Sequence, residues 1–146
     1  MNDPSKLIKT ANLLLDISSL LMVSGANTNR ANLSIDRFAS VLNCKAYSLI
    51  SHKTIIMTLT DEETDESCTR VQNIPPYIIN FSVISAVSKA SWNAISENWT
   101  LEQIEAEIEL LPQTNYTRET IDKINKNITS KKTFIKTVFI VLLDFV

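Results

Sequence analysis

One glycine stands in 146 residues: Gly25, in the stretch VSGANTNRANLSIDRFASVLN. Glycine enters left-handed backbone at no steric cost, so a chain with a single copy cannot build loops that need several. Phosphate-cradling P-loops and dinucleotide fingerprints require more than one, as does the G-x-S-x-G nucleophile elbow. Those chemistries are excluded at the outset. The lone glycine is expected to close a helix instead. From Ser5, a suitable N-cap, to about Val23, the residues Leu7, Ala11, Leu14, Ser18, Leu21 and Met22 recur at helical spacing. Leu13, Ile17 and Leu20 widen that stripe, which predicts a helix buried on most sides. Gly25 then takes the left-handed position just past its end.

Five residues on comes a cation, Arg30, where a second helix should begin. Thr28 is expected to cap that helix, Ala31, Ile35, Phe38, Ala39 and Leu42 to form its inner face, and Asn43 to close it. The start of a helix carries partial positive charge, so an arginine there is mildly unfavourable unless something anionic offsets it. One reading is a surface ion pair with Asp16, Asp36 or an acidic hairpin. The other is an anion-binding turn made of Ser24, Gly25, Thr28 and Arg30 beside the free N–H groups of the helix start.

The periodicity then falls from 3.6 to 2. In TIIMTLT, Ile55, Met57 and Leu59 alternate with threonines, as in a half-buried strand, and AYSLIS and SCTRVQ flank it as weaker strands. Antiparallel pairing suits neighbours this close in sequence. The connection DEETDE reads as a solvated hairpin tip. As a calcium loop it fails, with Glu66 where glycine is needed and Gln72 where a bidentate glutamate is needed. His52 is the only histidine, and Cys44 and Cys68 lie far apart as free thiols. No zinc set is spelled and no cofactor is implied.

After Pro75 and Pro76 a helix is expected from about Phe81 to Asn98. Its run of small residues should pack closely on the first helix or the sheet. Thr100 and Gln103 then spell a capping box, with Trp99 and Ile104 as a hydrophobic staple. Leu101, Ile104, Ile108 and Leu111 should face the core, and Pro112 should end this helix. Residues 1–117 hold 8 basic and 13 acidic groups, whereas 118–146 hold 6 and 3. The net charge of −2 argues against nucleic acid as a partner. In the tail, Ile121, Ile124 and Ile128 stand at helical spacing among lysines, followed by VFIVLLDFV, which is shorter than the ~20 apolar residues of a membrane span.

These residues resemble a family. LLLDISSLLMVSGANTNRANLSIDRFASVLN is similar to the opening of the soluble domain in the threonine/serine exporter family of bacterial and fungal membrane proteins. That opening is a helix, a Ser/Ala-Gly-Ala turn, a Thr and an Arg, here Ser24, Gly25, Ala26, Thr28 and Arg30. SLISHKTIIMTL resembles the family's central strands, TRVQNI its Arg-Val strand with Arg70, and NFSVISAVSKASWNAISENWTLEQIEAEIELL its following pair of helices. The resemblance implies a cytoplasmic domain preceding membrane helices that export small amino acids or dicarboxylates, placed at the inner face of the plasma membrane. It also implies a paired membrane subunit as a partner. After Tyr116 the family runs into long apolar helices. This chain has a basic, amphipathic segment there, as a truncated, partial or stand-alone version would.

The resulting expectation is an α+β domain over residues 1–116: two N-terminal helices, a small antiparallel β-sheet and two further helices. An amphipathic C-terminal tail, 117–146, follows. Its candidate ligand site is Ser24, Gly25, Thr28 and Arg30, with His52 and Arg70 in second place and a small carboxylate as ligand. Membrane contact through the tail and self-association are the other partnerships in view. The alternatives are a stand-alone interaction domain and a hydrolase-like enzyme, the latter requiring His52 to reach Ser24 or Thr28.

Overall fold

The computed structural model describes residues 4–111. The tail, the boundary near residue 116 and the helix stop at Pro112 lie outside the described residues. Helix α1 spans Pro4–Val23 and α2 Thr28–Val41; strands β1 (Cys44–Ile50), β2 (Thr54–Asp61) and β3 (Ser67–Asn73) follow, then α3 (Phe81–Glu97) and α4 (Leu101–Glu109). The expected α+β mix is present. All three strands pair antiparallel in the order β1-β2-β3, with Leu49 opposite Ile56 and Ile56 opposite Val71.

The elements stack as sheet, then α1 and α2, then α3 and α4. α1 packs on β2 and β3, α2 on β1, and both helices carry the outer pair on their other side. This explains the nearly all-round apolarity of α1. Leu7, Ala11, Leu14, Ile17, Ser18, Leu21 and Met22 are all buried. The alternation in β2 resolves as expected, with Ile55, Met57 and Leu59 buried beneath the helices. On the opposite face of the sheet, Tyr47, Leu49, Ile56 and Val71 are exposed.

Several local expectations shift. The helix opens at Pro4, so Ser5 lies inside it and does not cap it; proline suits a first turn because its missing N–H would find no helical partner there. α3 does not pack chiefly on α1 or the sheet. Its main neighbour is α2, because the helix-bearing face of the sheet is already taken by α1 and α2. Arg37 pins this pair, lying 4.0 Å from the Trp92 ring centroid and donating to Ser91 Oγ at 3.3 Å. The capping box forms as read: Thr100 N–H donates to Gln103 Oε1 at 2.8 Å, and Gln103 N–H donates back to Thr100 Oγ1 at 3.3 Å.

Candidate functional site

Gly25 sits at φ +99° in a Schellman turn. Its N–H donates to the Met22 carbonyl at 3.2 Å, and that of Ala26 reaches back to Leu21 at 3.0 Å. These two bonds define the motif, and they satisfy carbonyls the helix leaves open. The segment after Pro76 completes the closure, with Ile78 N–H bonding to Val23 O and Asn80 N–H to Ser24 O, both at 3.0 Å. Ser24 is consequently buried at 2% exposure, while Thr28 and Arg30 stand exposed on the first turn of α2.

Thr28 does not cap that helix. Asn27 does, its Oδ1 accepting from the Arg30 N–H at 2.8 Å. Asparagine's short carbonyl reaches the N3 position from extended backbone, which leaves Thr28 as the first helical residue. Among the described residues Arg30 forms no ion pair with Asp16, Asp36 or the hairpin. Asp16 is engaged with Gln72, and its carboxyl is raised above the ordinary range by burial, partly offset by that bond.

The secondary candidates are scattered. His52 is exposed at the β1–β2 turn, and no hydrogen bond joins it to Ser24 or Thr28 among the described residues. Arg70 lies on the helix side of β3, where its Nε donates to Asn12 Oδ1 at 3.1 Å. Its work is to hold α1 on the sheet edge. Among the described residues no group of three His, Cys, Asp or Glu side chains is arranged to hold a metal ion.

A cleft of about 340 Å³ opens at the other end of the molecule, in a place the sequence pattern did not single out. Lys6, Leu7 and Thr10 of α1 line one side, and Leu42, Asn43 and Cys44 line the entry to β1. Asp61 comes from the end of β2 and Glu63 from the turn after it, Asn98 to Thr100 from the α3–α4 connection, and Leu101 and Glu102 from the start of α4. Two of these residues are left-handed asparagines, Asn43 at φ 56° and Asn98 at φ 51°. Asparagine is the second choice to glycine there, so a glycine-poor chain makes these two reversals with asparagine; at the hairpin tip Asp65 takes the same backbone, at φ 61°. At Asn98 the reversal is sealed by Trp99 N–H bonding to Ala94 O at 3.1 Å.

The acidic tip is solvated as expected at Glu62, Glu63, Asp65 and Glu66, with Asp61 the exception at only 8% exposure. Its Oδ1 accepts from Glu63 N–H at 2.9 Å, its N–H donates to Glu66 O and its carbonyl accepts from Asp65 N–H, both at 2.8 Å. Its other oxygen has no hydrogen bond or ion pair among the described residues. Beside it, burial pushes the Cys44 thiol up to about 11; the charges of Asp61 and Glu62 add to the effect and Lys6 opposes it. Both cysteines are free, and a thiol so strongly protonated is a poor nucleophile at neutral pH. The signal in the sequence for this cleft was the pairing of Asn98 with the Thr100 capping box, which places an open helix start after a sharp reversal.

Fold and cleft together define a small α+β domain with a ligand-sized polar recess. The family model for threonine/serine exporters, ThrE, matches residues 12–123, and the chain belongs to that family. No curated protein and no solved structure matches it.

Proposed function

We propose that residues 4–111 are the cytoplasm-facing soluble domain of a threonine/serine exporter. The observation that carries this reading is the family match, which runs from within α1 past the end of α4. Among the described residues no helix is long and apolar enough to cross a membrane. On this reading the transport path is built elsewhere, further along the polypeptide or in a paired subunit, and the basic residues of 117–146 meet the membrane surface. The exposed first turn of α2 offers Thr28 and Arg30 to a carboxylate, either of a small ligand or of the membrane partner.

Vesicle sedimentation tests the membrane part. The full chain is expected to pellet with anionic vesicles and to resist a salt wash, while a version ending at Pro112 stays in solution. If both stay soluble, the membrane-proximal reading is wrong. For the turn, succinate is expected to shift the amide resonances of residues 27–30 in the wild type and not in Arg30→Ala; an unmoved wild-type spectrum removes the site.

A further inference from the structure

Among the described residues β3 is an edge strand, paired with β2 on one side only. Two bonds at its ends fix which of its backbone groups are engaged. Asp61 N–H donates to Glu66 O before the strand, and Ile74 N–H donates to Lys53 O after it. Residues of an antiparallel ladder alternate between bonding to the neighbouring strand and pointing away from it. Cys68, Arg70 and Gln72 therefore bond to β2, in step with Glu66 and Ile74. The N–H and C=O groups of Ser67, Thr69, Val71 and Asn73 point outward along the edge, and all four residues are exposed. An edge of this kind is a template for a further strand.

The side chains beside the edge select which strand. On the helix side, Arg70 Nε donates to Asn12 Oδ1 and Gln72 bonds to Asp16. Lys9, Asn12 and Asp16 make an exposed stripe of α1 along this flank. On the other face, Val71 is exposed in line with Ile56 and Leu49. Under a two-fold axis at Val71, β3 is complementary to itself. Thr69 then lies opposite Asn73 of the second copy, so the outward groups of Thr69, Val71 and Asn73 all find partners. Arg70 lies opposite Gln72 of the second copy, the residue that holds Asp16. Other registers are worse. An axis at Arg70 sets like charges directly opposite each other, and one at Asn73 sets Val71 opposite Pro75, which has no N–H to give.

We propose that β3 is a self-association edge. Two copies of the chain pair antiparallel through residues 69–73, join their sheets into one, and set Arg70 of each against Asp16 of the other. The apolar rows of the two outer faces meet at Val71. Such an interface is isologous, so every contact is made twice. This inference goes beyond the exporter reading and does not rest on it. Pro75 and Pro76 limit the length of the pairing, which belongs with the small, transient interfaces.

The test is sedimentation velocity of the full chain from ~1 to ~300 μM, together with amide hydrogen exchange. A monomer–dimer equilibrium is expected in that range, and the amides of Thr69, Val71 and Asn73 should exchange more slowly as concentration rises. Val71→Pro removes an outward N–H and no ladder bond, and should weaken the dimer by about tenfold or more. Ser48→Pro removes an outward N–H from β1 and should leave the dimer unchanged. Arg70→Glu should weaken it several-fold, and adding Asp16→Arg should recover much of that loss; this pair decides the matter if Val71→Pro unfolds. A chain that stays monomeric throughout overturns the proposal. So does a dimer of wild-type affinity in Val71→Pro and Arg70→Glu, or one that Ser48→Pro dissociates and Val71→Pro does not. Protection of the three amides that is independent of concentration overturns it as well, because the edge is then covered by the chain's own residues.

Discussion

At the C-terminal end of α1 the last four carbonyls, of Leu20 to Val23, and that of Ser24 just beyond are all taken, by the N–H groups of Ser24, Ala26, Gly25, Ile78 and Asn80. Near its N-terminal half, Lys6 and Thr10 face a recess in which Asp61 keeps a carboxylate oxygen without a partner among the described residues. The first end is closed by backbone bonding; the second is left open by side chains. The more conspicuous end in the sequence is the structurally saturated one. A lone glycine catches the eye because a backbone requirement has few solutions. A recess is assembled from residues such as Lys6, Asp61 and Asn98 that are unremarkable singly and far apart in the chain.

The sharpest way to test the contrast is at Gly25. An added Cβ would find room, its nearest neighbours being Ile79 side-chain carbons at 3.7 Å, so the cost of Gly25→Ala is conformational. It should be about 1–2 kcal/mol, seen as a melting temperature several degrees lower, and Gly25→Asn should recover part of it. An unchanged melting temperature breaks the account of this end. Next comes the cap. Asn27→Ala should lose about 1 kcal/mol in urea denaturation while Thr28→Ala loses only a few tenths; the reverse order would restore Thr28 as the capping residue.

At the open end, Thr100→Ala removes one half of the capping box and should cost about 0.5–1 kcal/mol. The smallest effect at neutral pH concerns Cys44. Its thiol is raised from 9.0 to about 11, so the folded state holds the proton more tightly than the unfolded chain does. The associated stability is therefore complete below pH 9 and is lost as pH rises through about 11. At pH 8, iodoacetamide should modify the less buried Cys68 before Cys44, as mass spectrometry would show. Equal rates would mean that the recess is more open to water than its burial indicates.

Element types were legible throughout, because each rests on a local pattern. The threonine alternation in β2, the Thr100–Gln103 box and the stripe of α1 all survive in the folded chain. What escaped were choices between neighbours of similar chemistry. Asn27 and Thr28 can both cap a helix, and it is Asn27 that holds the extended backbone of a cap, at φ −77° and ψ 161°. Burial of Asp61 was illegible for a different reason. Within DEETDE it differs from its neighbours only by being the last residue of β2 in register with Cys44, a pairing made across the sheet. The Arg37–Trp92 contact joins residues whose proximity depends on α3 packing on α2.

The central place of α1 has a consequence in time. Synthesis delivers this helix first, yet the surfaces that cover it come from β2 and β3, then α3 and α4. The Cys68 thiol that meets the Leu7 carbonyl is made 61 residues later. At about 5–20 residues per second, a strongly apolar helix waits several seconds on the ribosome before its partners exist. During that interval it is the segment most exposed to chaperones and to wrong neighbours, and its burial is completed only when α4 has emerged.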